Sequence, residues 1–222
     1  MPAHDRHPDT AAVHAGRLVV PSNVASSPPL FQASSYEFSD LDDVEAIYGG
    51  ARSGKIYGRY GGPNGEQFEA AIAELEGAEA AVGAAAGMSA IDAALATNLG
   101  PGDAIVATRE AYGGTYALLE HDYRARGIAV RYVDQHDHAA VAAALAAAPA
   151  ARVLYVEALT NPLVRVADLA TLARSPTRRE HVSSSMRRSR HPRSCGRSRS
   201  GQISCCIASG SISAATATSA RA

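Results

Sequence analysis

The sequence predicts an α/β fold in which helices cover both faces of a mainly parallel sheet. Between residues 66 and 173, short apolar segments typical of buried strands alternate with longer segments of helical periodicity. Each of these strands is followed by a helix and not by the tight turn that a β-hairpin needs. A helical connection between strands favours parallel pairing. Residues 1–65 are rich in Pro, Gly and Ser and predict an extended N-terminal arm.

The individual elements follow from local signals. Ser39–Glu45 carries a capping residue and acids near its start, as the first turn of a helix does. From Gln67 onward, Phe68, Ile72 and Leu75 form one apolar helical face. The later predicted strands are Ala104–Ala107, Ala129–Val133 and Arg152–Glu157, and the helices are Thr115–Arg126, His138–Ala148 and Ala167–Ala173.

The segment from Ala78 to Ile91 predicts a strand, a turn of small residues and the start of a helix. Gly87 lets the backbone approach another group closely. The N–H groups of Gly87, Met88 and Ser89 would then point out of a helix N-terminus, where a phosphate is favoured. Taken alone, the segment fits a tightly packed strand–helix junction better, because turn signals of this kind are common.

A glycine-rich loop, Lys55–Asn64, carries an arginine and two tyrosines. Arg59 could hold a phosphate with two parallel hydrogen bonds, and Tyr57 could donate its hydroxyl. The alternative is an ordinary surface loop.

Composition excludes several classes of protein. The net charge of −1 offers no general attraction to nucleic acid, and no apolar run approaches the ~20 residues of a membrane helix. The first residues lack the pattern of a signal peptide, so the cytoplasm is the expected compartment. No metal site is expected.

Five motifs in this order carry a specific resemblance: Tyr57–Arg59, Leu75–Glu79, Ala86–Ser89, Glu110–Tyr116 and Glu157–Pro162. Over about residues 10–173 the chain resembles the Cys/Met-metabolism family of pyridoxal-phosphate (PLP) enzymes, which includes cystathionine γ-synthase, cystathionine γ-lyase, methionine γ-lyase and the homoserine sulfhydrylases. The resemblance implies the first half of the large domain of the type I, aspartate-aminotransferase-like fold. It also implies PLP as cofactor, an amino-acid substrate and a homotetramer built as a dimer of dimers, with no membrane or nucleic-acid partner.

The resemblance implies a cofactor role for each matching residue. Gly87 and Met88 match the amides that bind the phosphate, and Tyr112 matches the catalytic tyrosine that stacks on the pyridine ring and assists proton transfer. Asn161 matches the amide beside the phenolic oxygen, and Glu157 lies at the end of the same strand.

Tyr57 and Arg59 match the pair that reaches the phosphate of the neighbouring subunit. The chain departs from the family at Ala86, where a serine is usual, and at Gly62 and Asn64, which interrupt the usual Asn-Pro-Thr.

Two groups that PLP chemistry requires are missing from the positions where the resemblance places them. One is the lysine that bonds to the cofactor, and the other is an aspartate beside the pyridine nitrogen. Lys55 is the only lysine in the chain and lies in the interfacial loop, and no aspartate follows Asp168.

The composition changes abruptly near Arg174. Nine arginines lie between Arg174 and Arg199, and residues 174–222 contain a single acid, Glu180, and all three cysteines of the chain. One interpretation is a disordered basic tail over residues 174–222 that binds nucleic acid. No zinc or disulfide role is assigned to its cysteines.

The genetic code offers a second interpretation of the tail. A second reading frame results when the last base of each codon is read together with the first two bases of the next codon. Residues 182–186 can then encode VVVD, residues 187–192 TFASP, residues 195–207 RPLALGADLVLH and residues 211–218 YLSGHSD, and Gly210 with Ser211 permits a lysine before the YL. These segments resemble the family's aspartate strand and lysine region in order and spacing, so a frameshift near Arg174–Arg179 is predicted.

Two functional hypotheses follow. In the first, the chain is a truncated, inactive copy of an enzyme of γ-replacement or γ-elimination on cysteine, methionine, cystathionine or activated homoserine, and it binds PLP weakly or without a covalent bond. In the second, it is a non-catalytic partner whose N-terminal arm completes the site of an intact homologue.

Overall fold

The computed structural model describes residues 7, 9–10, 13, 27–76, 78–148 and 150–173, and the backbone of residues 203–209 and 212–218. Its contacts divide the chain into two compact units, Met1–Glu74 and Leu75–Ala222. No described helix is long and apolar enough to cross a membrane.

The first unit contains the described part of the arm and two helices. Helix α1 (Leu41–Tyr48) begins at the N-cap Asp40, whose Oδ1 accepts the N–H of Asp43 at 2.8 Å, so the predicted capped start is confirmed. Helix α2 (Pro63–Glu76) starts four residues before the predicted Gln67. Proline is well suited to the first helical position, where its missing N–H would have no partner in any case.

The second unit contains a parallel sheet of strand order β3-β2-β4, in which β2 (Ala104–Thr108) is central. Strands β3 (Ala129–Val133) and β4 (Ala151–Tyr155) both pair with β2 in parallel register. All five residues of β2 are buried, as expected for a parallel sheet covered on both faces.

The described residues of the second unit form four α-helices: α3 (Gly87–Ala96), α4 (Gly113–Ala117), α5 (His138–Ala146) and α6 (Leu169–Ala173). A π-helical segment, Leu118–Tyr123, directly continues α4. Each helix lies within the segment that the sequence predicts to be helical there, apart from shifts of a few residues at the ends.

Consecutive residues of β2 pack into different apolar clusters. Ile105 belongs to a cluster with Ile91 and Leu95 of α3, whereas Val106 belongs to one with Val141 and Leu145 of α5. Because side chains alternate across a strand, the two clusters lie on opposite faces of the sheet. The predicted α/β architecture, with helices on both faces, is therefore confirmed.

A second sheet has the order β1-β6-β5 and is antiparallel. Strand β1 (Ala80–Ala84) is the predicted strand before α3, but β5 (Ile203–Ser209) and β6 (Ile212–Thr218) belong to the segment expected to be disordered. The structure corrects that expectation for these two strands. Their isoleucines and threonines favour extended backbone, and β6 pairs with the edge of β1. The rest of residues 174–222 lies outside the described residues.

Candidate functional site

The N-terminus of α3 has no side-chain cap. Its N-cap, Ala86, is extended and has no side chain to accept a hydrogen bond from the helix. The carbonyl of Ala86 accepts the N–H of Ala90, which begins the helical ladder. The N–H groups of Gly87, Met88 and Ser89 therefore point out of the first turn, as a phosphate-binding helix start requires.

Tyr112 and Met88 meet beside Gly114. A Cβ placed on Gly114 would lie 2.7 Å from Cε1 of Tyr112 and 3.2 Å from Sδ of Met88, so a larger residue there would require the Tyr112 ring to move. The Tyr112 side chain is nevertheless 41% exposed. Two residues that are far apart in the sequence, and that were both predicted to bind the cofactor, thus both lie close to Gly114.

Glu157 is buried beneath Tyr112. Only 1% of it is exposed, and its Oε1 accepts the backbone N–H of Tyr112 at 2.6 Å and the hydroxyl of Tyr155 at 3.2 Å. Burial raises the pKa of the Glu157 carboxyl, while the hydrogen bonds from Tyr112 and Tyr155 act in the opposite direction. The Glu157 carboxyl group thus helps to fix the position of the Tyr112 backbone.

Two polar residues of this cluster were not identified from the sequence. Gln135 is fully buried, and its side-chain amide bonds both the N–H and the carbonyl of Glu157. Thr115 is also buried, with its hydroxyl 3.4 Å from that of Tyr155 and 3.9 Å from Sδ of Met88. A polar residue just after a predicted parallel strand was the one available signal for Gln135, because such strand ends form sites.

Asn161 follows the same strand as Glu157 and is exposed. It lies in a tight turn in which the carbonyl of Thr160 accepts the N–H of Val164 and the Thr160 hydroxyl accepts that of Arg165. Arg165 forms an ion pair with Glu110. The turn therefore presents the Asn161 side chain at the surface, near the carboxyl end of β4.

The first unit holds the other predicted pair. Tyr57 forms a β-bridge with Ser35, and Arg59 lies over two tyrosine rings, 5.0 Å from the centre of Tyr57 and 5.7 Å from that of Tyr60. Such cation–π contacts orient an exposed guanidinium without neutralising it. The loop is held further by Asn64, whose amide bonds the backbone of the arm at residues 29 and 31.

Lys55, the only lysine of the chain, also lies in the first unit and forms an ion pair with Glu66. Among the described residues, no group of three or more His, Cys, Asp or Glu side chains could hold a metal ion.

Comparison with known proteins identifies the family of the chain. A family model of Cys/Met metabolism PLP-dependent enzymes matches residues 9–183. The chain belongs to this family. The resemblance stated from the five motifs is therefore confirmed.

Curated relatives of the family align with the same part of the chain. L-methionine γ-lyase of Pseudomonas putida is 36% identical over 165 residues, which cover 74% of this chain and 41% of that enzyme. O-succinylhomoserine sulfhydrylase of Pseudomonas aeruginosa is 39% identical, with 74% of this chain and 40% of that enzyme covered. The chain thus spans about 40% of the length of these relatives.

A solved structure shows the same fold. It is that of a Campylobacter jejuni protein described as an O-acetylhomoserine (thiol)-lyase, and it contains a pyridoxyl-lysine phosphate. The TM-score is 0.79 at 21% identity, and the match covers 97% of this chain and 55% of that one. The fold of this family member is therefore part of the PLP-dependent transferase fold.

The residues of the chain fit part of PLP. The N-terminus of α3, which has no side-chain cap, suits the phosphate, and the exposed Tyr112 ring beside Met88 suits a planar heterocycle. Covalent attachment is not matched, because the single lysine, Lys55, is already paired with Glu66 in the first unit.

Proposed function

We propose that this chain, by itself, is an inactive copy of a PLP-dependent sulfur amino-acid enzyme that retains the phosphate- and ring-binding part of the site. The parent reaction is γ-replacement or γ-elimination on cysteine, methionine, cystathionine or activated homoserine, and the names of the relatives above support methionine and activated homoserine. The cytoplasm and a homotetramer remain predictions for the parent enzyme.

One observation carries the proposal. Met88, Tyr112 and Glu157, which would bind the ring, lie in one cluster, whereas the one lysine of the chain forms an ion pair with Glu66 in the first unit. The binding elements thus persist without the group that would make the cofactor reactive. PLP, when bound, supplies an electron sink for carbanions formed at the substrate.

The chain's own residues would have limited roles in this proposal. The amides of Gly87 and Met88 would bind the phosphate, and the Tyr112 ring would stack on the pyridine. Asn161 would donate its amide to the ring oxygen. Binding by these contacts alone is reversible, so we expect weak affinity for the cofactor.

Borohydride reduction tests the proposal directly. The purified chain is incubated with PLP, reduced and analysed by peptide mass spectrometry, while release of α-keto acid from L-methionine and O-acetyl-L-homoserine is assayed. We expect substoichiometric labelling and no turnover. Lys55→Arg is the matched control, because it preserves the charge opposite Glu66 and removes the reactive amine.

A stoichiometric label on Lys55 together with turnover that Lys55→Arg abolishes would overturn the proposal. Labelling without turnover would show that Lys55 reacts with the free aldehyde, which leaves the proposal intact.

The partner hypothesis is the second candidate, and the state of Arg59 favours it. The guanidinium is exposed and oriented by two tyrosine rings, and no carboxylate of the described residues is paired with it. An exposed arginine that is oriented in this way can form two parallel hydrogen bonds with a phosphate bound to another subunit. In this hypothesis the arm would complete the site of an intact family member.

A further inference from the structure

We infer that Gln135 is a positioning residue that holds the Tyr112 ring in place for a planar phosphorylated ligand, acting through Glu157. The inference rests on the proposed function for the nature of the ligand. It assigns a role to a residue that belongs to none of the five family motifs.

The geometry around Gln135 begins with the strand order. Gln135 follows β3 by two residues and Glu157 follows β4 by two residues, and β2 separates these strands. Strands two places apart in a sheet are separated by roughly 9–10 Å. The Gln135 side chain spans this gap through two hydrogen bonds to the Glu157 backbone.

The side-chain amide of Gln135 both donates a hydrogen bond to the backbone of Glu157 and accepts one from it. Nε2 of Gln135 donates to the Glu157 carbonyl at 2.9 Å, and Oε1 accepts the Glu157 N–H at 3.1 Å. This is the pairing that a neighbouring strand would supply. Because both residues are buried, loss of the amide would leave two backbone groups without partners in a region that water does not reach.

Glu157 transmits this constraint to Tyr112. Its backbone is held by Gln135, and its carboxylate accepts the Tyr112 N–H at 2.6 Å. The hydroxyl of Tyr155 bonds the same carboxylate oxygen and lies 3.4 Å from the hydroxyl of Thr115 in α4. The start of α4 is therefore anchored to the end of β4, and the exposed ring of Tyr112 is anchored with it.

A change at Gln135 should therefore affect ring stacking and leave the phosphate site at α3 unaffected. Gln135→Met keeps the length of the side chain and removes both hydrogen bonds. Asn98→Leu is a matched control, because Asn98 also bonds a backbone carbonyl of this unit through its amide, that of Ala94.

The experiment compares two ligands. Pyridoxine 5′-phosphate carries the ring and the phosphate and has no aldehyde to react with Lys55, whereas inorganic phosphate tests the helix N-terminus alone. Dissociation constants are measured by NMR titration for the native chain, Gln135→Met, Asn98→Leu, Tyr112→Ala and the double variant Gln135→Met with Tyr112→Ala.

We expect Gln135→Met to weaken pyridoxine 5′-phosphate binding by about two- to tenfold, the range of an aromatic stacking contact, and to leave phosphate binding unchanged. It should have no further effect once Tyr112 is alanine. Equal weakening of both ligands, or the same effect from Asn98→Leu, would overturn the inference, since either would indicate a general loss of structure.

Hydrogen exchange at the Tyr112 amide separates this inference from the proposed function. If the native chain binds neither ligand, the proposed function fails. The positioning role is then supported if Gln135→Met accelerates exchange at Tyr112 by tenfold or more while Ile105 is unchanged. It is overturned if the Tyr112 amide exchanges at the native rate.

Discussion

The backbone N–H of Tyr112 lies 2.6 Å from Oε1 of Glu157, a residue 45 positions later in the chain. The donor precedes α4 and the acceptor follows β4, so one hydrogen bond joins two strand ends of the parallel sheet. The backbone of Tyr112 is thereby fixed while its ring stays free to contact a ligand. Four predictions test this site and the rest of the chain.

Glu157→Gln should remove a pH dependence of stability. Burial raises the folded-state pKa of Glu157, so the unfolded chain ionises first as the pH increases. The stability contribution is complete below the usual carboxyl pKa near 4.5 and decreases, by up to about 1.4 kcal/mol per pH unit, until the raised folded pKa is reached. Urea denaturation between about pH 3 and 8 measures the difference in unfolding free energy between the native and variant chains.

Glu120→Gln is the control for Glu157→Gln, because the ionisation of Glu120 changes the free energy of unfolding with pH in the opposite direction. The hydrogen bond from Arg124 lowers the pKa of Glu120, so its contribution is present above the usual pKa and is lost as the pH falls through the lowered value. Identical pH profiles for the native chain and Glu157→Gln would contradict the buried, desolvated state of Glu157.

Gly114→Ala should displace the Tyr112 ring. The new Cβ would lie 2.7 Å from Cε1 of that ring, which must move because the contact is closer than van der Waals radii allow. The ring is partly exposed and can move outward, so we expect a loss of stability below about 2 kcal/mol and at least a twofold loss in pyridoxine 5′-phosphate affinity.

Gly113→Ala is the matched control for Gly114→Ala. It lies in the same helix and a Cβ there meets nothing within 4 Å, so the higher helix propensity of alanine should stabilise the chain by about 0.5–1 kcal/mol. Unchanged ligand affinity in Gly114→Ala would show that the Tyr112 ring does not contribute to binding.

Arg59→Ala tests the partner hypothesis. The chain is co-expressed with an intact family member and purified on a tag carried by this chain. We expect no mixed dimer, because the part matched to the relatives covers only about 40% of their length and so offers less surface to bury in an interface. If a complex does form, loss of a bidentate phosphate contact of about 1.5–3 kcal/mol should lower its PLP affinity tenfold to a hundredfold.

Arg52→Ala provides the comparison within the same unit. Arg52 is also exposed but is already paired with Asp43 at 2.6 Å, so it should not affect cofactor retention. A stable one-to-one complex that loses PLP with Arg59→Ala and retains it with Arg52→Ala would make the partner hypothesis the better one.

The gene sequence tests the origin of the tail. Read one frame away, the codons for residues 182–192 should encode VVVD followed by TFASP, and those for residues 195–218 should encode the lysine region of the family. Resequencing across the codons for Ala173–Glu180 checks this and locates the slip. Codons that encode other residues in that frame would exclude the frameshift.

Local sequence patterns were sufficient for the element types and for the family. The alternation of apolar strands and amphipathic helices predicted the parallel sheet, because burial on both faces requires continuous apolar strands. The Gly87–Met88 and Tyr112 motifs each lie at a strand–helix junction whose form is set by neighbouring residues, and their role in binding the cofactor stays a prediction.

Tertiary structure alone decided how these junctions are supported. The contacts of Gln135 with Glu157 and of Glu157 with Tyr112 depend on the order β3-β2-β4, which brings together strand ends that are distant along the chain. The strand pairing of residues 212–218 with β1 is equally non-local, and its composition had favoured disorder. The hydrophobic periodicity of a segment indicates which face of a helix or strand is buried. Which neighbouring element covers that face depends on packing across the whole fold.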